Sequence, residues 1–337
     1  MNFFEDFTLG RVFRHATPRT LTAGDASAYI ALTGARQVVH CAEPVARAIG
    51  HRACPMDDFL VFNMAFGKTV PDISYNAIAN LGYADVRFVA PVYAGDTIAC
   101  ESKVIGLKEN SSGRSGIVYV QSVARNQDGA EVLSWIRWVM VVKRGAAPAP
   151  SPQVPDLPPE VPAASLAIPP FLRPAALPHE ATGGAKRWDD YHAGEALEHP
   201  GSMTIEEADH MSATRLYQNT ARVHFDALAA RETGFGKRLV YGGHVISICR
   251  ALSHDGLENA FAVAAIHGGT HANPTFAGDT LACRHVVLGR DEIPGRVDVG
   301  ALRLRMLGVK KALPGEKEVV VLDLDYSVLV PRGKPLK

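Results

Sequence analysis

Two stretches are apolar on almost every helical face, Asp58-Phe-Leu-Val-Phe-Asn-Met-Ala-Phe66 and His244-Val-Ile-Ser-Ile-Cys-Arg-Ala-Leu252. A helix without a polar face belongs in an interior. Ahead of the first, helix-like spacing covers residues 23–33 and 44–50; ahead of the second it covers residues 205–217 and 225–234. Behind each lie four strand-like runs, residues 84–89, 97–107, 116–126 and 132–143 in one case and 262–267, 280–288, 300–308 and 319–330 in the other. Apolar and polar positions alternate in them, as in Val319-Val-Val-Leu-Asp-Leu-Asp-Tyr-Ser-Val-Leu-Val330, which predicts antiparallel strands with one buried face. The predicted packing is an α+β chain in which a sheet wraps a buried helix, twice over.

The repetition extends to single residues. Phe4-Glu-Asp-Phe-Thr-Leu-Gly10 answers to Trp188-Asp-Asp-Tyr-His-Ala-Gly194, and Thr20, Asp25, His40 and Gly50 answer to Thr204, Asp209, His224 and Gly234, each 184 residues later. Further on, Ala94-Gly-Asp-Thr-Ile-Ala-Cys100 answers to Ala277-Gly-Asp-Thr-Leu-Ala-Cys283, now 183 residues later. This order of matches reads as duplication of one module. Between the copies, residues 145–184 hold eleven of the chain's 22 prolines and little periodicity, the signature of an extended linker on the surface of the domains it joins. The expected organisation is a first module over residues 1–144, a Pro/Ala-rich linker over 145–184, and a second module over 185–337.

Composition narrows the function classes. An apolar fraction of 47% with 21% charged residues is that of a globular chain. Thirty-five basic residues balance thirty-five acidic ones, so no overall field draws the chain to nucleic acid or anionic lipid. The start, Met-Asn-Phe-Phe-Glu-Asp-Phe, has no secretory pattern, and no apolar run is long enough to span a membrane. The five cysteines form no C-x-x-C pair, so neither a disulfide scaffold nor a zinc knuckle is expected, and a cytoplasmic setting is. The histidines form no three-ligand cluster in sequence, so no metal is expected.

The helix-then-strands order, with Phe88-Val-Ala-Pro-Val-Tyr-Ala-Gly-Asp-Thr97 before a strand, resembles the hotdog fold of the MaoC-like dehydratases, and two in one chain resemble their double-hotdog branch. Finer strings, among them His15-Ala-Thr-Pro-Arg-Thr20, Phe66-Gly-Lys-Thr-Val-Pro-Asp72 and Asn80-Leu-Gly-Tyr-Ala-Asp85, are most similar to the mesaconyl-CoA hydratases, also called β-methylmalyl-CoA dehydratases. The resemblance implies a double hotdog, two sheets each around a central helix and fused as a pseudo-dimer. It also implies reversible addition of water to an enoyl-CoA, mesaconyl-CoA giving β-methylmalyl-CoA. No cofactor is then needed beyond the coenzyme A of the substrate, and the expected partners are an acyl-CoA thioester and further copies of the pseudo-dimer. An acyl-CoA thioesterase and a non-catalytic acyl-CoA-binding protein are the alternatives, because one fold hosts several functions.

The family pattern Gly-Asp-x-Asn-Pro-x-His-x-Asp falls on the second module with its His at His224 and its last Asp at Asp226, but with Asn219 in place of the catalytic Asp and Ala221 in place of the Asn. In the first module only His40 matches; Ala35, Gln37 and Ala42 hold the other positions, and Met56-Asp57-Asp58 stands where the other copy has Gly-Gly-His. The first site is therefore expected to be degraded and to shape the acyl pocket instead. A histidine titrates near neutrality, which suits His224 to proton transfer. A carboxamide cannot accept a proton from water, so Asn219 is expected to orient water or the thioester, with Asp226 holding the imidazole and Asp57 or Asp58 as suspects for a missing carboxylate. Gly242 and Gly243, opening the apolar helix, offer backbone N–H groups to the thioester oxygen. Arg222, Arg36 and Arg52 are candidates for the free carboxylate of a dicarboxylic acyl group.

Overall fold

The computed structural model describes residues 1–145, 151–312 and 317–333. In the first half, β1 (Val12–Arg14) and β2 (Arg19–Thr20) lead to helices α1 (Ala23–Thr33), α2 (Val38–Cys41), α3 (Glu43–Ala48) and α4 (Asp58–Ile73). Strands β3 (Ala77–Phe88), β4 (Thr97–Glu109), β5 (Ser115–Arg125) and β6 (Glu131–Val142) follow. After the short helix α5 (His179–Thr182), the second half runs β7 (Ala196–Thr204), α6 (Glu207–Leu216), α7 (Arg222–Phe225), α8 (Ala227–Arg231), α9 (Gly242–Leu252), β8 (Ala262–Thr270), β9 (Thr280–Glu292), β10 (Val299–Lys310) and β11 (Val319–Pro331).

One sheet carries both halves, in the order β1-β4-β5-β6-β3-β8-β11-β10-β9-β7, with β2 on β4. The order reads the same from either end, and the halves meet where β3 pairs antiparallel with β8, Tyr83 opposite Gly269 and Val86 opposite Ile266. The central helices α4 and α9 pack inside this curved layer, and their buried faces belong to one cluster that includes Phe59, Phe62, Tyr217, Tyr241, Ile246 and Tyr326. A double hotdog is the result.

The central helix of the first half runs seven residues beyond its predicted end, since Thr69, Val70 and Ile73 continue its buried face. Its Gly67 is required by contact between the halves: a Cβ there would lie 2.0 Å from the Tyr217 carbonyl oxygen. The predicted helix over residues 225–234 is the shorter α8, because Asp226 leaves helical geometry and caps it, and the His turn ahead of it is itself the one-turn helix α7. Strand β7 lies in a stretch for which no strand was predicted, Ala-Leu-Glu-His-Pro-Gly-Ser-Met-Thr, where Pro200 and Gly201 interrupt the pattern.

The described part of the linker does more than lie on the surface. Residues Val161, Leu172 and Leu177 are buried, the last two in a cluster with Val39, Ile49 and Phe261. The Val161 N–H donates to His267 Nδ1 at 2.9 Å, and Phe171 packs its ring edge-on to His51. No helix among the described residues is long and apolar enough to cross a membrane.

Candidate functional site

A cavity of about 240 Å³ opens between the halves. Phe66 and Val70 of α4 and Ser74 at its C-terminal cap line one wall, with residues 77–80 and Tyr83 of β3 and Arg137 of β6; Asn219, His224, Tyr241, Gly242 and His271 line the other. The large empty space therefore needs both copies of the repeat.

His224 sits on the one-turn helix α7. Its Nδ1 lies 2.8 Å from the Leu239 carbonyl oxygen, an atom that only accepts, so Nδ1 carries the proton and Nε2 keeps its lone pair. The ring packs edge-on to Tyr241, with centroids 5.6 Å apart. The residue as a whole is half-buried, yet its ring is deep enough that loss of hydration pushes its pKa down to about 4. It is a neutral imidazole at physiological pH, ready to accept a proton.

Asn219 is 2% exposed and is held by the first half of the chain. The turn before it docks on Gly67, Arg19 donates to the Leu216 carbonyl at 2.6 Å, and Lys68 donates to Gln218, which has a left-handed backbone at φ 53°. The Asn219 Oδ1 accepts from the Ala221 N–H at 2.9 Å, which fixes the amide so that Nδ2 remains a donor at the cavity.

Gly242 begins α9, whose N-cap Tyr241 provides no side-chain cap, and its N–H has no acceptor among the described residues. A side chain is excluded here, since a Cβ would come within 2.5 Å of the His271 ring. A free N–H at a helix N-terminus beside a neutral imidazole suits developing negative charge. Gly243 is placed differently. Its Cβ space is taken by Asn63 Oδ1 at 1.9 Å, and its carbonyl accepts from Asn63 Nδ2 at 3.2 Å, so it packs the two central helices together instead of meeting a substrate.

Other expected residues also lie elsewhere. Asp226 does not hold the imidazole: its Oδ1 accepts from the Leu228 and Ala229 N–H groups as the cap of α8, and those bonds hold its pKa below the usual carboxylate range. Arg222 points outward and lies 3.8 Å from Asp226; Arg36 pairs with Asp255 at 3.4 Å and Arg52 with Asp96 at 3.4 Å, none of them lining the cavity. Asp57 caps α4, accepting from Phe59 N at 2.9 Å, and Asp58 accepts from Val263 N at 2.7 Å on the far side of the interface. Among the described residues no carboxylate lines the cavity.

Two groups at the site were not singled out by sequence. His271 follows β8 and bonds through Nε2 to the Tyr83 hydroxyl at 3.1 Å; burial, then the neighbouring His224, push its pKa down to about 4. Arg137 occupies an inward position of β6 in the run Trp135-Ile-Arg137-Trp-Val139, where alternation calls for an apolar residue. That break in the pattern was the available signal. Among the described residues the one group of metal-capable side chains, His199, Cys283 and His285, lies outside the cavity and spends its nitrogens internally: His199 on the Asp255 carbonyl and on His285, and His285 on the Tyr326 hydroxyl.

The matching turn of the first half has the same skeleton and a different filling. His40 Nδ1 lies 3.1 Å from the Pro55 carbonyl, but its Nε2 faces Asp58 Oδ2 at 3.9 Å. Burial raises the Asp58 pKa to about 6, against the opposing effect of His40. Asp58, matched to His244 in the sequence, instead holds the place in α4 that Gly242 holds in α9, the first helical residue. The space around His40 is about 50 Å³, closed partly by Ala167, Pro169 and Leu172 of the linker.

Comparison with known proteins adds an independent line. The chain matches the mesaconyl-CoA hydratase family over residues 1–312. It is 52% identical to the β-methylmalyl-CoA dehydratase of Chloroflexus aurantiacus, over 98% of this chain and 97% of that one. It is 50% identical to the mesaconyl-CoA hydratase of Cereibacter sphaeroides, over 98% of each. Among solved structures it is similar to a MaoC domain protein from Chloroflexus aurantiacus J-10-fl, with TM-score 0.96, 51% identity and coverage of 99% and 98%. It is also similar to a Mycobacterium tuberculosis protein with a double hotdog fold, with TM-score 0.78, 25% identity and coverage of 97% and 98%.

Proposed function

The chain belongs to the mesaconyl-CoA hydratase family, and from that premise we propose that it is a hydro-lyase that reversibly adds water to mesaconyl-CoA, giving β-methylmalyl-CoA. The observation that carries this reading is the neutral His224, its Nε2 free, beside an uncapped Gly242 N–H in a cavity that both halves build.

In the hydration direction, His224 Nε2 takes a proton from water as the water oxygen bonds to the β-carbon. The electron pair of the double bond moves onto the thioester, and the Gly242 N–H, with the fixed Asn219 carboxamide, holds the resulting negative oxygen. The imidazolium then returns its proton to the α-carbon. One water is consumed, no electron is gained or lost overall, and no cofactor enters these steps. His271, anchored by Tyr83 against Gly242, positions that glycine and is not needed as a proton carrier.

Thioester hydrolysis is less well supported, since attack on the carbonyl by a carboxylate has no candidate among the described lining residues. Incubation of the pure protein with mesaconyl-CoA tests the reading: a hydroxyacyl-CoA product is expected, while release of free CoA, or binding without turnover, would overturn it.

A further inference from the structure

We propose that Arg137 and Asn80 form a carboxylate-binding subsite at the acyl end of the cavity, selecting thioesters whose acyl group ends in a free carboxylate. The inference rests on the acyl-CoA reading above and adds what the cavity recognises beyond the thioester.

Arg137 is 0% exposed and lines the cavity. Among the described residues only two of its donors find partners, Nη1 at 3.3 Å from Ser74 Oγ and Nη2 at 2.8 Å from Thr69 Oγ1, both neutral hydroxyls. The Nε is buried with no hydrogen-bond partner among the described residues. No ion pair reaches it among the described residues; the nearby titratable groups are the Tyr83 and Tyr241 phenols and the His15 imidazole, and Phe66 lies under the guanidinium at 4.1 Å. Burial pushes its pKa down to about 10, so it is still a cation at neutral pH. Removing a guanidinium from water without an anion is costly, and a bound carboxylate would relieve that cost with paired hydrogen bonds.

Asn80 is the second, independent observation. Both its Oδ1 and Nδ2 are buried without hydrogen-bond partners among the described residues, and it lines the same cavity. The register of β3 on β6 shifts between Asn80 and Gly82, so that Asn80 stands opposite Val139 and Tyr83 opposite Arg137. Val139 and Arg137 are alternate residues of β6 on its buried face, and the shift therefore presents Asn80 and Tyr83 on the side where the guanidinium lies. A buried polar group left unpaired in an apolar interior is rare, and two of them beside one cavity fit an anion that brings its own acceptors.

The arrangement also fits the reaction geometry. Contacts run from His224 to Tyr241, centroids 5.6 Å apart, from Tyr241 to Phe66 at 5.8 Å, and from Phe66 to the guanidinium. The proton-transfer group and the cation are thus joined along one aromatic wall of the same cavity, within reach of a single acyl group.

The test uses two unreactive saturated thioesters, succinyl-CoA and butyryl-CoA, with binding measured by calorimetry on the full chain. The wild type is expected to bind succinyl-CoA at least about tenfold more tightly. Arg137→Met should erase the preference by weakening succinyl-CoA alone, and Asn80→Ala should reduce it in the same sense. Equal wild-type affinities overturn the subsite, as does an equal loss for both ligands in a folded Arg137→Met. Should that variant fail to fold, the wild-type preference and Asn80→Ala decide. Binding of neither thioester overturns the acyl-CoA reading together with the subsite, whereas tight binding of both alike leaves that reading standing and overturns the subsite alone.

Discussion

His40 and His224 occupy the same turn of the same repeat, and each fixes its Nδ1 on a carbonyl fifteen residues onward, Pro55 or Leu239. What differs is the surroundings of Nε2. In the first half it meets the Asp58 carboxylate in about 50 Å³ of space narrowed by the linker; in the second it meets a cavity of about 240 Å³ with a bare helix N-terminus. Where α9 begins with Gly242 and an open N–H, α4 begins with Asp58 behind its own cap, Asp57. Both copies of the repeat thus hold the imidazole, and in the proposed reading the residue at one helix start, with what covers it, decides which copy has room to bind a thioester. The first half contributes instead through α4, β3 and Arg137, the opposite wall of the other copy's cavity.

The largest expected effect is on turnover. His224→Ala should lower the rate of mesaconyl-CoA hydration by at least about a hundredfold, while His40→Ala changes it far less. Equal losses in a hydration assay would erase the distinction between the copies. Placing a side chain at the second helix start should come next: Gly242→Ala, whose Cβ would meet the His271 ring at 2.5 Å, is expected to cost about 10²-fold in kcat. Asp58→Gly, the reverse change in the first half, should leave kcat near wild type, and a comparable loss there would mean that the first copy takes part in the chemistry.

A smaller effect tests the contact that lets one half hold the other's site. Gly67→Ala forces a Cβ against the Tyr217 carbonyl, which should destabilise the fold by about 1–3 kcal/mol in denaturant titration and lower activity through the displaced Asn219. Unchanged stability and rate would show that the turn is positioned by other contacts.

The smallest effect is in pH dependence. His224 and His271 have native pKa values pushed down to about 4 from 6.5, so between those values the unfolded chain binds more protons than the native one. Their contribution to stability is complete above about 6.5 and is lost as pH falls toward 4. Asp58, raised from 3.8 to about 6, acts in the opposite sense: its native form protonates first, so it favours the fold as pH falls through that window. Asp58→Asn should therefore steepen the acid loss of stability, read as melting temperature against pH. A shallower slope would contradict the assigned burial of that carboxylate.

Much of this comparison was legible in the sequence, because the repeat of fixed offset and the strand alternation are signals carried by many residues at once. His224 and Asn219 came from the family pattern on one local turn and Gly242 from the later glycine pair that opens α9, and the fold brings all three to one cavity. Features depending on distant contacts were not legible. The three arginines chosen for nearness in sequence to the turns point to exposed ion pairs, while Arg137, almost a hundred residues away in sequence, reaches the cavity through the sheet. Asp226 was given the role of holding the imidazole because of its spacing, yet the break between α7 and α8 turns it into a cap. The linker's buried leucines lie in proline-rich chain without periodicity, so nothing local announced that they fill a groove.

The most direct test of unequal copies is a crystal structure with succinyl-CoA, which cannot be hydrated. The expected result is one ligand per chain, its thioester oxygen about 3 Å from the Gly242 N–H and its β-carbon facing His224 Nε2. A thioester seated against His40 instead, or at both histidines, would contradict the division of labour between the halves.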